Sequence, residues 1–358
     1  MVAGMTAALL AVILVFSVPA GAISARSYVL MDAATGRILD GRLPDQKSLI
    51  ASTTKIMTAL VVCEQCNVLD RVRIPKEAVG IEGSSMYLQE GEILTIQELL
   101  YGMMLRSGND AATALAIYCG GTVEGFAQLM NDKARTLGLR NTHFENPHGL
   151  DSAQHFSTAE DLARLSAYAM NNPIFAKIVS TKTTRVGQRQ LTNHNKLLWQ
   201  VEGADGVKTG FTKAAGRILV SSAQRNGRRL VAVTIHAPDD WNDHAVLLNS
   251  GFSRYHSRQI VKRADVLGMV EIAGGQEKVV QLIAKDHFFY PLTQAENVEI
   301  TLPQPRFVYA PVVYGQDAGF AYLSVNGHSI GRVALMFGQT VEQETAEKDS
   351  VWKRIFGG

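Results

Sequence analysis

Three short motifs, far apart along the chain, constrain its fold more than any other feature: Ser52-Thr53-Thr54-Lys55, Ser107-Gly108-Asn109 and Lys208-Thr209-Gly210. The first stands where an apolar helix begins, the second in a loop between two helices, and the third on a strand. A fold that uses them together must bring all three elements to one place. Residues three apart at a helix start are neighbours, so the Ser52 hydroxyl and the Lys55 amine share a face. A serine hydroxyl is a poor nucleophile until a base takes its proton. Lys55 is such a base only when neutral, and burial together with a second cation, Lys208, pushes a lysine in that direction. The positive end of the helix favours an oxyanion nearby.

The remaining motif residues have matching roles. Ser107 is placed to relay a proton to a leaving amine, and the Asn109 amide to hold a substrate amide. Lys208 and Thr209 offer a charge and a hydroxyl suited to a terminal carboxylate. Gly210 has no side chain, so a ligand can approach its backbone closely. The N–H groups of Ser52 and Phe211 are the expected oxyanion hole. Taken singly the motifs are weak. Ser350-Val351-Trp352-Lys353 also matches Ser-x-x-Lys, and Ser324-Val325-Asn326 also matches Ser-x-Asn. Lys-Thr-Gly occurs once, and its position in order after the other two tells which copies belong together.

The chain has 358 residues, enough for one large domain and one small one. Residues 26–256 mix strands and helices and are read as the catalytic domain. Tyr28–Met31 and Arg37–Leu39 form an expected opening hairpin. Helices are expected from Ser52 through Val61, from the capping-box sequence at Thr95 to about Met104, and from Asp110 to about Tyr118. Strands are expected at Gly206–Phe211, Ile218–Gln224 and Leu230–Ile235, the last two joined by the Asn226-Gly227 turn, and a further helix at Asp240–Gly251. From 258 to 342 the pattern changes to short strands with turn signals, as in a small all-β sandwich.

Both ends of the chain differ from this body. Ala7–Phe16 is an apolar run followed by Val18-Pro19-Ala20-Gly21-Ala22, which reads as a signal peptide at 1–22 and hence as export, although no Lys or Arg precedes the run. In the tail at 343–358, Val351, Trp352, Ile355 and Phe356 share a helical face beside Lys353 and Arg354, a candidate membrane-surface contact. A net charge of +2 and no basic run argue against nucleic-acid binding. Nine histidines without ligand spacing give no metal site, and nothing calls for a cofactor. Cys63, Cys66 and Cys119 are read as helix-packing residues, with a disulfide between two of them left open. His148 and His155 are read as structural hydrogen-bonders. Glu145, Asp151, Glu160 and Asp161 are expected to line the same loop.

With these residues in place, the chain resembles the low-molecular-mass penicillin-binding proteins, serine-type D-Ala-D-Ala carboxypeptidases with a β-rich C-terminal domain. Besides the three motifs, the likeness rests on Ala51–Thr58, Gly83-Ser84-Ser85-Met86, Asn146–Asp151 and Asp205–Thr212. The resemblance implies an α+β penicilloyl serine transferase (β-lactamase/transpeptidase-like) fold, with an antiparallel sheet flanked by helices. It implies removal of the terminal D-alanine from peptidoglycan stem peptides through an acyl-Ser52 intermediate, with β-lactams as covalent inhibitors and no metal. Some members have His after Lys-Thr-Gly and an Arg ahead of a later helix. This chain has Phe211 and Pro238-Asp239-Asp240-Trp241 there, which leaves carboxylate recognition to Lys208 and Thr209. The alternatives are a serine β-lactamase, a D,D-endopeptidase on the same scaffold, and a non-catalytic cell-wall-binding protein. The first is disfavoured because Phe144-Glu145-Asn146-Pro147 lacks the Glu-x-x-Leu-Asn pattern.

Overall fold

The computed structural model describes residues 23–303 and 307–344. The expected signal peptide and the apolar tail from Val351 lie outside the described residues, as does the second Ser-x-x-Lys.

A five-stranded antiparallel sheet organises the first region, in the spatial order Ile38–Arg42, Ser27–Asp32, Arg228–Ile235, Gly216–Arg225, Ala204–Thr212. Strand periodicity sorts its side chains between two cores. On Arg228–Ile235, Val231, Val233 and Ile235 join the larger core, while Leu230 and Ala232 enter the smaller one. The larger core is roofed by the helices Lys55–Gln65, Ile96–Leu105, Asn109–Gly120 and Ala159–Ala169. The helix Asp240–Arg254 covers the opposite face through Leu247 and Leu248. The opening hairpin, the three later strands and the capping box at Thr95 and Glu98 occur as the sequence predicts.

Ser52 does not open an α-helix directly. Ala51–Thr54 forms a single 3-10 turn, with Ala51 at φ +44°, and the α-helix begins at Lys55. Because side chains at i and i+3 eclipse in a 3-10 turn, Ser52 and Lys55 still face the same way. The cysteine reading needs a larger correction. Cys66, at the end of that helix, and Cys119, in the helix Asn109–Gly120, form a disulfide that ties the two helices together. Cys63 is free, and burial, then the Glu64 charge, pushes its thiol up to about 12, so it is an inert packing group.

The second region holds a six-stranded sheet in the order Val298–Thr301, Asp317–Val325, His328–Phe337, Val279–Ala284, Val266–Ala273, Phe307–Tyr309. A two-stranded ladder, His256–Val261 with Phe288–Leu292, packs beside it over a small core that includes Val261, Leu323 and Val333. Ser324 of the second Ser-x-Asn sits in this sheet. Arg37 bridges the two regions, bonded to the Pro291 carbonyl and paired with Glu296.

Candidate active site

The amine of Lys55 is the centre of the site. It is fully buried, 3.0 Å from Ser52 Oγ, 2.6 Å from Asn109 Oδ1 and 2.7 Å from the His148 carbonyl oxygen. Burial, then the Lys208 charge, holds Lys55 well below the usual lysine range, while Asp110 works in the opposite direction. A neutral amine has two N–H donors and one lone pair. The Asn109 and His148 oxygens can only accept, so they take both hydrogens. The lone pair is left facing the Ser52 hydroxyl, which is the arrangement of a base ready to receive its proton.

Thr54 and Thr58, on the turn and helix that carry Ser52 and Lys55, fix those residues to the 144–155 loop. Thr54 Oγ1 lies 2.7 Å from His155 Nε2, and Thr58 Oγ1 donates to the Pro147 carbonyl at 2.6 Å. Gly149 is needed there: at φ +91°, a Cβ would lie 1.8 Å from the Ala51 carbonyl oxygen. His155 is thus a structural hydrogen-bonder, and His148 contributes only its backbone to Lys55. Of the four acidic residues assigned to this loop, Glu145 is bonded by Ser152 and Asp151 accepts from Thr212. Asp161 accepts from Asn141 and Thr142, whereas Glu160 pairs with Arg164 on its own helix. None of them is bonded to Ser52 or Lys55.

Lys208, Thr209 and Gly210 lie on the outer strand of the main sheet, next to the Ser52 turn. A Cβ on Gly210 would stand 3.3 Å from Ser52 N, so the glycine lets strand and turn approach. Lys208 is 1 % exposed, donates to the Thr209 carbonyl at 2.8 Å, and is drawn down by burial to about 7. Asn109 is also enclosed: beyond its bond from Lys55, its amide donates to the Glu82 carbonyl at 2.5 Å. Ser107 adopts φ +62°.

A cavity of about 290 Å³ opens over Ser52, lined also by Ser84, Ser107, His194, Thr209, Gly210, Phe211, Arg217, Asp240 and Trp241. Of the residues assigned from sequence, Ser52, Ser107, Thr209, Gly210 and Phe211 face this space. Lys55, Asn109 and Lys208 lie behind it. Arg217 was not assigned from sequence, and among the described residues it is the Lys or Arg side chain that lines the cavity. It faces Phe211 across the strand pair, and its Nη2 bonds Asp240 Oδ1 at 2.7 Å. The register of the turn between Thr212 and Gly216 is the signal that would have found it. Ser84 is held over the cavity by the neighbouring chain: Asn109 N donates to its carbonyl at 2.7 Å, and the buried Asp110 carboxylate accepts from Ser85 Oγ and from the backbone of Met86 and Leu88.

Residues 15–239 match the family described as D-alanyl-D-alanine carboxypeptidase. The chain belongs to this family. Residues 255–343 match the C-terminal domain of penicillin-binding protein 5. Among curated carboxypeptidases of the family, DacF of Bacillus subtilis is 31% identical over 319 residues, 85% of this chain and 82% of that protein. DacC of Escherichia coli is 34% identical over 91% of this chain and 86% of its own length. The crystal structure of penicillin-binding protein 5 from Haemophilus influenzae superposes with a TM-score of 0.77 at 30% identity, covering 90% of this chain and 98% of that one. The family assignment and the α+β fold read from the motifs therefore hold, together with the all-β C-terminal region.

Proposed function

We propose that this protein removes the terminal D-alanine from peptidoglycan stem pentapeptides as a serine-type D-Ala-D-Ala carboxypeptidase, through an acyl-Ser52 intermediate. The observation that carries this reading is the buried Lys55 amine, whose two hydrogens are taken by Asn109 and His148 and whose lone pair meets Ser52 Oγ. Ser52 Oγ attacks the carbonyl of the penultimate D-alanine, and Lys55 takes its proton. The N–H groups of Ser52 and Phe211 stabilise the oxyanion; one such donor typically contributes ~10²–10³ in rate. As the C–N bond breaks, the proton passes to the leaving amine with Ser107 as relay, and D-alanine departs. Water then attacks the acyl-serine and restores the hydroxyl.

The leaving D-alanine carries a carboxylate. Thr209 offers it a hydroxyl, and Arg217 supplies the charge at the cavity wall that Lys208, enclosed and drawn down to about 7, does not present. While it is protonated, Lys208 also disfavours the protonated form of Lys55, second to the effect of burial. Asn109 positions Lys55. β-Lactams, which mimic the acyl-D-Ala-D-Ala end, acylate the same serine and remain there. A class A β-lactamase uses a loop Glu to activate the deacylating water, and among the described residues no carboxylate is bonded to Ser52 or Lys55.

The substrate lies outside the cytoplasm, in line with the signal-like run at 1–22. Among the described residues no helix is long and apolar enough to cross a membrane. The amphipathic pattern of Val351, Trp352, Ile355 and Phe356 supports peripheral membrane attachment. Labelling with fluorescent penicillin, alongside D-alanine release from a diacyl-L-Lys-D-Ala-D-Ala peptide, tests the assignment. Ser52→Ala abolishes both signals; labelling that survives the substitution overturns it.

A further inference from the structure

The cation at the leaving-group end of the cavity is not free. Arg217 Nη2 bonds Asp240 Oδ1 at 2.7 Å, and the Trp241 ring lies 5.8 Å from the guanidinium carbon. The exposure of the two partners is unequal. The Arg217 side chain is 42% exposed and reaches into the cavity, whereas the Asp240 side chain is 4% exposed, held at the start of the helix Asp240–Arg254. Both residues line the cavity beside Thr209 and Phe211. An incoming carboxylate therefore meets a guanidinium that already has a carboxylate partner within the protein.

We infer that Asp240 is a specificity-determining residue, a built-in rival to the substrate's terminal carboxylate for Arg217, which sets how strongly the site prefers a free acid at the leaving group. This rests on the carboxypeptidase reading above and deepens it. A rival carboxylate weakens binding of a second anion to the same guanidinium, since like charges brought together oppose one another. A partly exposed pair of this kind is worth a factor of up to about five in affinity, not orders of magnitude. The rivalry also depends on pH. Burial raises the Asp240 carboxyl, and Arg217 opposes that rise; the other charge acting on it is Asp243 on the same helix, itself bonded to Ser24. As the pH falls, Asp240 takes a proton and Arg217 becomes available to the substrate.

The test compares two peptides: diacyl-L-Lys-D-Ala-D-Ala, and the same peptide ending in D-alaninamide. Groups that act on the reacting carbonyl of both substrates, Ser52 and Lys55 among them, cancel in the ratio of their kcat/KM values. In Asp240→Asn the acid-to-amide ratio at pH 8 rises up to about fivefold, and the change falls on KM for the acid. As the pH is lowered the ratio climbs more in the wild type than in Asp240→Asn, because Lys208 and the cavity-lining His194 gain charge in both proteins and Asp240 loses it only in the wild type. Arg217→Ala lowers the ratio, and Arg217→Lys restores part of it. If Asp240 only held Arg217 in place, Asp240→Asn would lower the ratio, and that result overturns the inference. Equal effects on both peptides overturn it as well. Failure of the wild type to release D-alanine would remove the underlying reading too, whereas release with an unmoved ratio removes only the rivalry.

Discussion

Replacing Lys208 by methionine should make the catalytic domain more stable, and the gain should depend on pH. Lys208 is drawn from 10.5 to about 7 by burial alone. At ~1.36 kcal/mol per pH unit, holding the ammonium in that environment costs about 5 kcal/mol relative to the unfolded chain. Between pH 7 and 10.5 the unfolded chain binds a proton that the folded protein does not, so wild-type stability rises with pH across this window. Below pH 7 the penalty is present in full, and above 10.5 it is gone. Methionine has a similar shape and no charge. Its loss is the bond to the Thr209 carbonyl, 2.8 Å in the wild type, and an unsatisfied buried carbonyl costs about 1–3 kcal/mol. Lys55 adds to the gain because Lys208 is a neighbouring charge that disfavours its protonated form. The net expectation is a stabilisation of about 2–4 kcal/mol at pH 6–7, shrinking toward zero or below at pH 10. For a domain of this size that corresponds to roughly 4–16 °C in Tm, well within reach of calorimetry over a pH series. A deficit equal at every pH, or a gap that widens as the pH rises, would refute the claim that Lys208 is held against its preferred charge state.

Two further substitutions probe the frame around Ser52 and Lys55. Asp110→Asn removes the negative charge that raises Lys55, so the acid limb of the pH profile for Ser52 acylation should move to lower pH; an unmoved limb would count against it. The same change weakens the anchoring of Ser85, Met86 and Leu88, and with charge-assisted bonds worth ~1.5–3 kcal/mol each, hydrogen exchange at the Met86 and Leu88 amides should accelerate at least tenfold. Gly149→Ala forces a Cβ to within 1.8 Å of the Ala51 carbonyl at φ +91°, so either the fold loses about 3 kcal/mol or the Ser52 turn shifts and penicillin labelling slows. Unchanged melting together with unchanged labelling would show that the loop yields freely.

The parts of the site that were legible in the sequence are those fixed by local geometry. Ser52 and Lys55 are three residues apart, so either a 3-10 turn or an α-helix sets them on one face, and the wrong helix start did no harm. The capping box at Thr95 and the alternation in Leu230–Ile235 are equally local. What was missed depends on long-range placement. The residue type of Asn109 suits a substrate amide, and only the burial of Lys55, which demands acceptors, shows that the Asn109 oxygen also serves the lysine. Lys208 likewise carries a charge, but its strand position does not reveal that its amine is buried and turned onto the Thr209 carbonyl. Arg217 becomes visible only when the hairpin register is known, because a slip of one residue would send its side chain to the opposite face. The Thr212 hydroxyl fixes that register by accepting from Ala215 N, and Gly216 at φ +71° completes the turn. The Arg that some members of the family place ahead of a later helix is absent from this chain, and Arg217 brings a cation to the cavity from the neighbouring strand, paired with Asp240 at that helix start. A binding site needs a charge at a point in space and not at a position in the chain, so two strands and a helix end that meet at one cavity can supply it from any of the three.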